Sequence, residues 1–140
     1  MPVVSPLRQS AITQGDTTKP DTYFSAIGPE ALDGFQPLND QILVATYMRP
    51  QKTAGGILLA DRAHDEDRFQ GRAGLLLKCG PDAFEVDSRG FKWVGDKPKP
   101  GDWVVFHYSD AREILLNQVS CRTLRASAVQ AVVADPRSIF

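Results

Sequence analysis

A small all-β barrel carrying long loops is the fold that this sequence predicts, and three observations point to it. Eleven Gly and ten Pro in 140 residues punctuate the chain too often for long helices, and suit short strands joined by turns. Hydrophobic residues make up 42%, enough for a core, which excludes global disorder. From residue 37 onward, runs of strand length rich in β-branched and aromatic residues recur between turn signals. The length fits one domain.

Residues 1–36 differ from the rest. Ser5-Pro6, Thr17-Thr18-Lys19-Pro20 and Gly28-Pro29 interrupt local patterns, and no periodic segment of useful length is evident. Tyr23, Phe24, Ile27, Leu32 and Phe35 remain as sparse apolar anchors. The expectation is an extended N-terminal arm packing these anchors on its own domain or on a neighbour. A disordered tail is the plainer alternative.

The strands follow in order. Gln41-Ile-Leu-Val-Ala-Thr-Tyr47 is the first, and Leu75-Leu-Leu-Lys-Cys79 is the second, bounded by Gly74 and by Gly80-Pro81. Trp103-Val-Val-Phe-His-Tyr108 is the third, introduced by the turn signal Lys99-Pro100-Gly101-Asp102. Residues 113–116 and 119–124 read as a hairpin about Asn117-Gln118. A helical turn at 125–128 and a last strand at 129–133 complete the series. No sizeable helix is expected, so a closed or partly closed barrel over residues 37–140 is the predicted architecture. Two long gaps, 49–71 and 81–100, exceed ordinary loop length, and function is expected there.

Sixteen Lys and Arg against seventeen Asp and Glu give a net charge of −1. That balance argues against electrostatic capture of nucleic acid or of an anionic membrane. The N-terminus lacks a signal-peptide pattern and no run is long enough to span a bilayer, so a cytoplasmic protein is expected. Two cysteines make no disulfide framework, and Cys79 and Cys121 read as core or half-buried thiols. Gly55-Gly56 is followed by Ile-Leu-Leu rather than Gly-Lys-Ser/Thr, so there is no phosphate loop. No nucleophile elbow, Cys-x-x-Cys or His-x-x-x-His occurs, and His64 and His107 lie far apart. No enzyme, metal or cofactor is therefore predicted. Asp61-Arg-Ala-His-Asp-Glu-Asp-Arg68 fails the calcium-loop pattern and reads as a solvated charged stretch. Immediately before it stands Lys52-Thr-Ala-Gly-Gly-Ile-Leu-Leu59. A buried strand is one reading of that run. The paired glycines and charged flanks favour the other, an apolar docking tripeptide on a flexible tether.

Pro37-Leu-Asn-Asp-Gln-Ile-Leu-Val44, Thr53-Ala-Gly-Gly-Ile-Leu-Leu59 and Pro100-Gly-Asp-Trp-Val-Val-Phe106 together resemble the GroES-type co-chaperonin family. The 74–80 segment and Val129-Gln-Ala-Val-Val133 extend the likeness in unbroken order. Gln41 replaces the basic residue of the family's pattern, and Gln118 replaces the glycine of its late turn. Gly80-Pro-Asp-Ala-Phe84 and the Pro-rich approach to Gly101 look more like bacteriophage-encoded relatives.

The resemblance implies a GroES-like β-barrel that assembles into a homo-oligomeric ring, a heptamer. The ring would cap a GroEL-type chaperonin that itself binds ATP. It implies that 49–71 is the mobile loop, with Gly55 and Gly56 freeing the backbone and Ile57, Leu58 and Leu59 entering an apolar groove on the partner. The 81–100 gap would be a roof-type hairpin. The competing expectation is a virion assembly or decoration protein that uses the same barrel, attached to a phage capsid protein through the N-terminal arm. A dehydrogenase carrying a related barrel would need a nucleotide-binding domain, for which 140 residues leave no room.

Overall fold

The computed structural model describes residues 12, 15–49 and 72–139, and two short helices and six strands order residues 20–133 of these. The helices are α1 (Pro20–Ile27) and α2 (Pro29–Asp33). The strands are β1 (Gln41–Thr46), β2 (Ala73–Cys79), β3 (Trp103–Val105), β4 (Arg112–Leu116), β5 (Val119–Arg125) and β6 (Ala131–Val133). They form one antiparallel sheet in the order β4-β5-β1-β2-β3-β6. Each predicted strand is present. The third ends early, at Val105, because the chain turns into a 3-10 segment, Tyr108–Asp110, where the Ser109 N–H donates to His107 Nδ1 (3.2 Å). No β4–β6 ladder closes the sheet among the described residues, which corresponds to the partly closed form of the expected barrel.

The N-terminal segment corrects the expectation of an extended arm. Pro20 and Pro29 do not break helices here; each sits in the first turn, where a missing N–H leaves no bond unmade. Asp21 lies in the positive first turn of α1. Gly28 ends α1 at φ +93°, a conformation strongly disfavoured for a side-chain-bearing residue, and its N–H donates to the Phe24 carbonyl (2.9 Å). Tyr23, Ala26 and Ile27, spaced i, i+3 and i+4, form the buried face of α1.

Both faces of the central strands are covered. On one face, Leu43, Ala45, Leu75, Leu77, Val119 and Cys121 pack with the helices and with Ile12. On the other, Ile42, Val44, Leu76 and Val104 pack with Phe84, Phe106 and Leu124. A bulge between Leu43 and Val44 absorbs one extra residue of β2 and keeps both sets facing their own core. Gly80 is fixed by close approach, since a Cβ there would fall on the Asn39 carbonyl oxygen; its N–H donates to Gln41 O (2.8 Å).

The β4–β5 turn holds Asn117 and Gln118 at φ +50° and +67°, the pattern of a two-residue type I′ turn. A glutamine in the second position is strained against its Cβ. Gln118→Gly is expected to stabilise the fold by about 0.5–1 kcal/mol, because relief of that strain exceeds the entropy glycine adds to the unfolded chain. A thermal melt checks this, and a Tm equal to or below wild type contradicts it.

Candidate functional site

The predicted docking residues Gly55, Gly56, Ile57, Leu58 and Leu59, with His64 and the 61–68 charged stretch, lie outside the described residues. What the structure defines is the frame from which segment 50–71 departs and to which it returns. Its two stems are adjacent. Thr46 pairs with Gly74 across β1–β2, and the Tyr47 N–H donates to Ala73 O (3.2 Å). On the returning side the Phe106 N–H donates to Arg72 O (2.9 Å).

Aromatic residues wall the departing stem. Trp103 makes T-shaped pairs with Tyr23 (centroids 5.4 Å, 81°) and with Tyr47 (5.6 Å, 88°). Such edge-to-face pairs contribute beyond simple area burial. All three rings are buried, so each polar tip needs a partner. The Trp103 Nε1–H donates to Thr18 O (3.3 Å). The Tyr23 hydroxyl donates to Thr17 O (2.8 Å) and accepts from the Met48 N–H (3.3 Å).

The remaining predicted anchors converge on the same core face. Ile27 is fully buried and Leu32 nearly so, while Phe24 and Phe35 pack against the cluster from its margin. Of the two expected destinations for the anchors, it is therefore the chain's own sheet that receives them. Barrel side chains cap both helices: Asn117 Nδ2 donates to Ile27 O (2.7 Å) and Lys78 Nζ to Leu32 O (2.8 Å). A donor, and at Lys78 a cation, at the last carbonyls complements the helix dipole. Trp103, Lys78 and Asn117 were not among the predicted site residues. Trp103 carried a signal in its indole N–H, a lone donor that must find an acceptor once buried.

The 81–100 segment is a hairpin-like excursion. Val86 bridges Lys92, the Asp87 N–H donates to Phe91 O (2.7 Å), and Trp93 N–H to Glu85 O (3.0 Å). Trp93 packs edge-on to Phe84 (5.2 Å) at its base. Asp87 accepts from the Arg89 side chain at 2.7 Å and from the N–H groups of Arg89 and Phe91. The Arg89 bonds hold its carboxyl below the usual range. Phe91 near the tip and Val94 beyond Trp93 stand 63% and 88% exposed, an apolar display that the sheet core does not use.

Near the β1 end a polar group interrupts the second core face. Ser120 Oγ donates to Glu113 Oε2 (3.1 Å) and contacts Thr46 Oγ1 (3.1 Å), while buried Arg122 faces Glu113 across β4–β5. Burial draws the Arg122 pKa down and Glu113 opposes that shift. Cys121 is buried and its thiol is pushed up to about 12 by desolvation, which disfavours the thiolate; Cys79 is half-buried and shifted the same way. Both match their expected placement. No group of three or more His, Cys, Asp or Glu placed to hold a metal occurs among the described residues. No helix among them is long and apolar enough to cross a membrane.

Residues 34–133 match the family described as "Chaperonin 10 Kd subunit". A Co-chaperonin GroES 2 of Mesorhizobium japonicum is 31% identical over 105 residues, 75% of this chain and 94% of that relative. The Co-chaperonin GroES of Nitratidesulfovibrio vulgaris is 30% identical over 98 residues, covering 70% of this chain and 96% of its own length. That of Lawsonia intracellularis is 30% identical over 98 residues, 70% and 90% of the respective chains. These relatives are bacterial, and the expected bacteriophage kinship draws no support from them. Helices α1 and α2 precede the matched region, α2 ending one residue before it.

Proposed function

This chain belongs to the chaperonin 10 kDa subunit family, and from that premise we propose that it is a co-chaperonin that caps a GroEL-type chaperonin. The capping contact is the tripeptide Ile57-Leu58-Leu59, and the capping form is a homo-oligomeric ring, a heptamer. The observation that supports this reading most is the position of Thr53-Ala-Gly-Gly-Ile-Leu-Leu59 between β1 and β2, whose ends the sheet holds side by side.

The energetics suit a lid that must bind and release. Burying three such side chains contributes about 1.5–3 kcal/mol each. Ordering a flexible segment on binding costs about 2–5 kcal/mol. One copy therefore binds weakly, whereas several copies on one ring gain avidity through effective concentration. A modest change in the partner's groove then releases all of them. Nucleotide binding and hydrolysis belong to the partner. The exposed Phe91 and Val94 belong to a roof-type hairpin that faces the capped opening.

The virion-attachment reading is the weaker of the two, because Tyr23, Ile27 and Leu32 lie in the chain's own core. Native mass spectrometry of the protein with a bacterial GroEL-type chaperonin, with and without ATP, tests the proposal. A heptamer that adds to the chaperonin cylinder only with nucleotide is expected. A monomer that ignores the cylinder under both conditions overturns it.

A further inference from the structure

We infer that the N-terminal helical segment is a brace for the docking segment, and that Tyr23 is a positioning residue fixing where residues 50–71 leave the sheet. The inference rests on the reading of Ile57–Leu59 as the chaperonin contact. Three observations carry it. Met48 lies two residues from the first residue of that segment, and its buried N–H is bonded not to a strand partner but to the Tyr23 hydroxyl, 25 positions upstream (3.3 Å). The same hydroxyl is tied back to Thr17 O (2.8 Å), so the bond links the stem to the N-terminal segment and not to the sheet alone. The Tyr23 ring stands edge-on to Trp103, which in turn clamps Tyr47, the residue before Met48. The helices precede the region shared with the family, so this tie is an addition to the common frame.

Physically, the tie removes freedom from the stem before any partner arrives. A docking segment whose root is already fixed loses less conformational entropy on binding, so preorganisation of the root raises affinity without any new contact. Only one hydrogen bond of ordinary strength is involved at Met48, and the effect is correspondingly modest for each copy.

Affinity for a bacterial GroEL-type chaperonin with ATP, measured alongside amide exchange at Met48, tests the brace in the full-length protein. Tyr23→Phe keeps the ring and deletes the hydroxyl. It is expected to weaken capture about three- to tenfold and to speed exchange at Met48 by on the order of tenfold. Asn117→Ala serves as the comparison. It removes the 2.7 Å bond to Ile27 O, and so loosens the same helix at its far end without touching the stem. Its capture affinity is expected to equal that of wild type. Equal capture by Tyr23→Phe and wild type, or an equal loss in both variants, overturns the brace. Failure of the wild-type protein to bind the chaperonin overturns the docking reading, and the inference with it.

Discussion

Replacing Ile57 and Leu58 together by Asp is expected to abolish capture by an ATP-bound GroEL-type chaperonin while leaving the thermal melt of the protein within about 2 °C of wild type. The two substitutions remove roughly 3–6 kcal/mol of apolar burial from each copy and set two carboxylates against an apolar groove. Avidity multiplies the deficit, because every docking segment in a ring carries the same lesion. The melt is the informative control. Sequence patterning leaves two readings of Gly55-Gly-Ile-Leu-Leu59, a docking tripeptide or a buried strand. Two buried aspartates in a strand would cost several kcal/mol and lower Tm steeply. Docking residues would cost the fold almost nothing. Loss of binding with an unchanged melt selects the first reading, and a collapsed melt selects the second. Capture that persists despite both substitutions removes this tripeptide as the contact.

Much of the sheet was legible from the chain alone because strand signals are local. The runs 41–47, 75–79 and 119–124 carry apolar or β-branched residues between turn signals, and each is a strand within two residues of its predicted ends. The helical turn expected at 125–128 is the 3-10 segment Ala126–Ala128. The N-terminal helices are hidden in the sequence for a physical reason. Pro and Gly ordinarily signal breaks, yet Pro20, Pro29 and Gly28 occupy the helix positions that favour them. An eight-residue helix also shows barely two turns of periodicity, too few to stand out against its neighbours. A second signal was available in the strands. Ile42-Leu-Val-Ala45 and Leu75-Leu-Leu77 are unbroken apolar runs, where a sheet with one wet face would alternate. Continuous burial of β1 on both faces requires a second cover, and Ile12 with residues 23–35 supply it. The donors that hold this cover, Trp103, Lys78 and Asn117, reach it across 85, 46 and 90 positions, separations that no local pattern records.

Tyr23→Ala is accordingly expected to destabilise the protein by about 3–5 kcal/mol, lowering Tm by roughly 10–20 °C. The side chain is fully buried; its loss leaves a cavity beside Trp103 and strips a partner from Thr17 O and from the Met48 N–H. Removing residues 1–33 carries the same logic to its limit. An extended arm attached to a self-sufficient barrel could be cut away with little effect. A segment that contributes Ile12, Tyr23, Ala26, Ile27 and Leu32 to the core cannot. Their removal bares Trp103, Tyr47, Leu75 and Leu77 on one contiguous face, an apolar patch that favours association over a stable monomeric barrel. Calorimetry and size-exclusion chromatography of a protein spanning residues 34–140 are expected to show loss of the cooperative transition, or aggregation. A soluble truncated protein melting within a few degrees of the full chain would mean that the second face of the sheet needs no cover. The unbroken apolar runs of β1 and β2 would then lack a cause, since water on that face penalises every one of them.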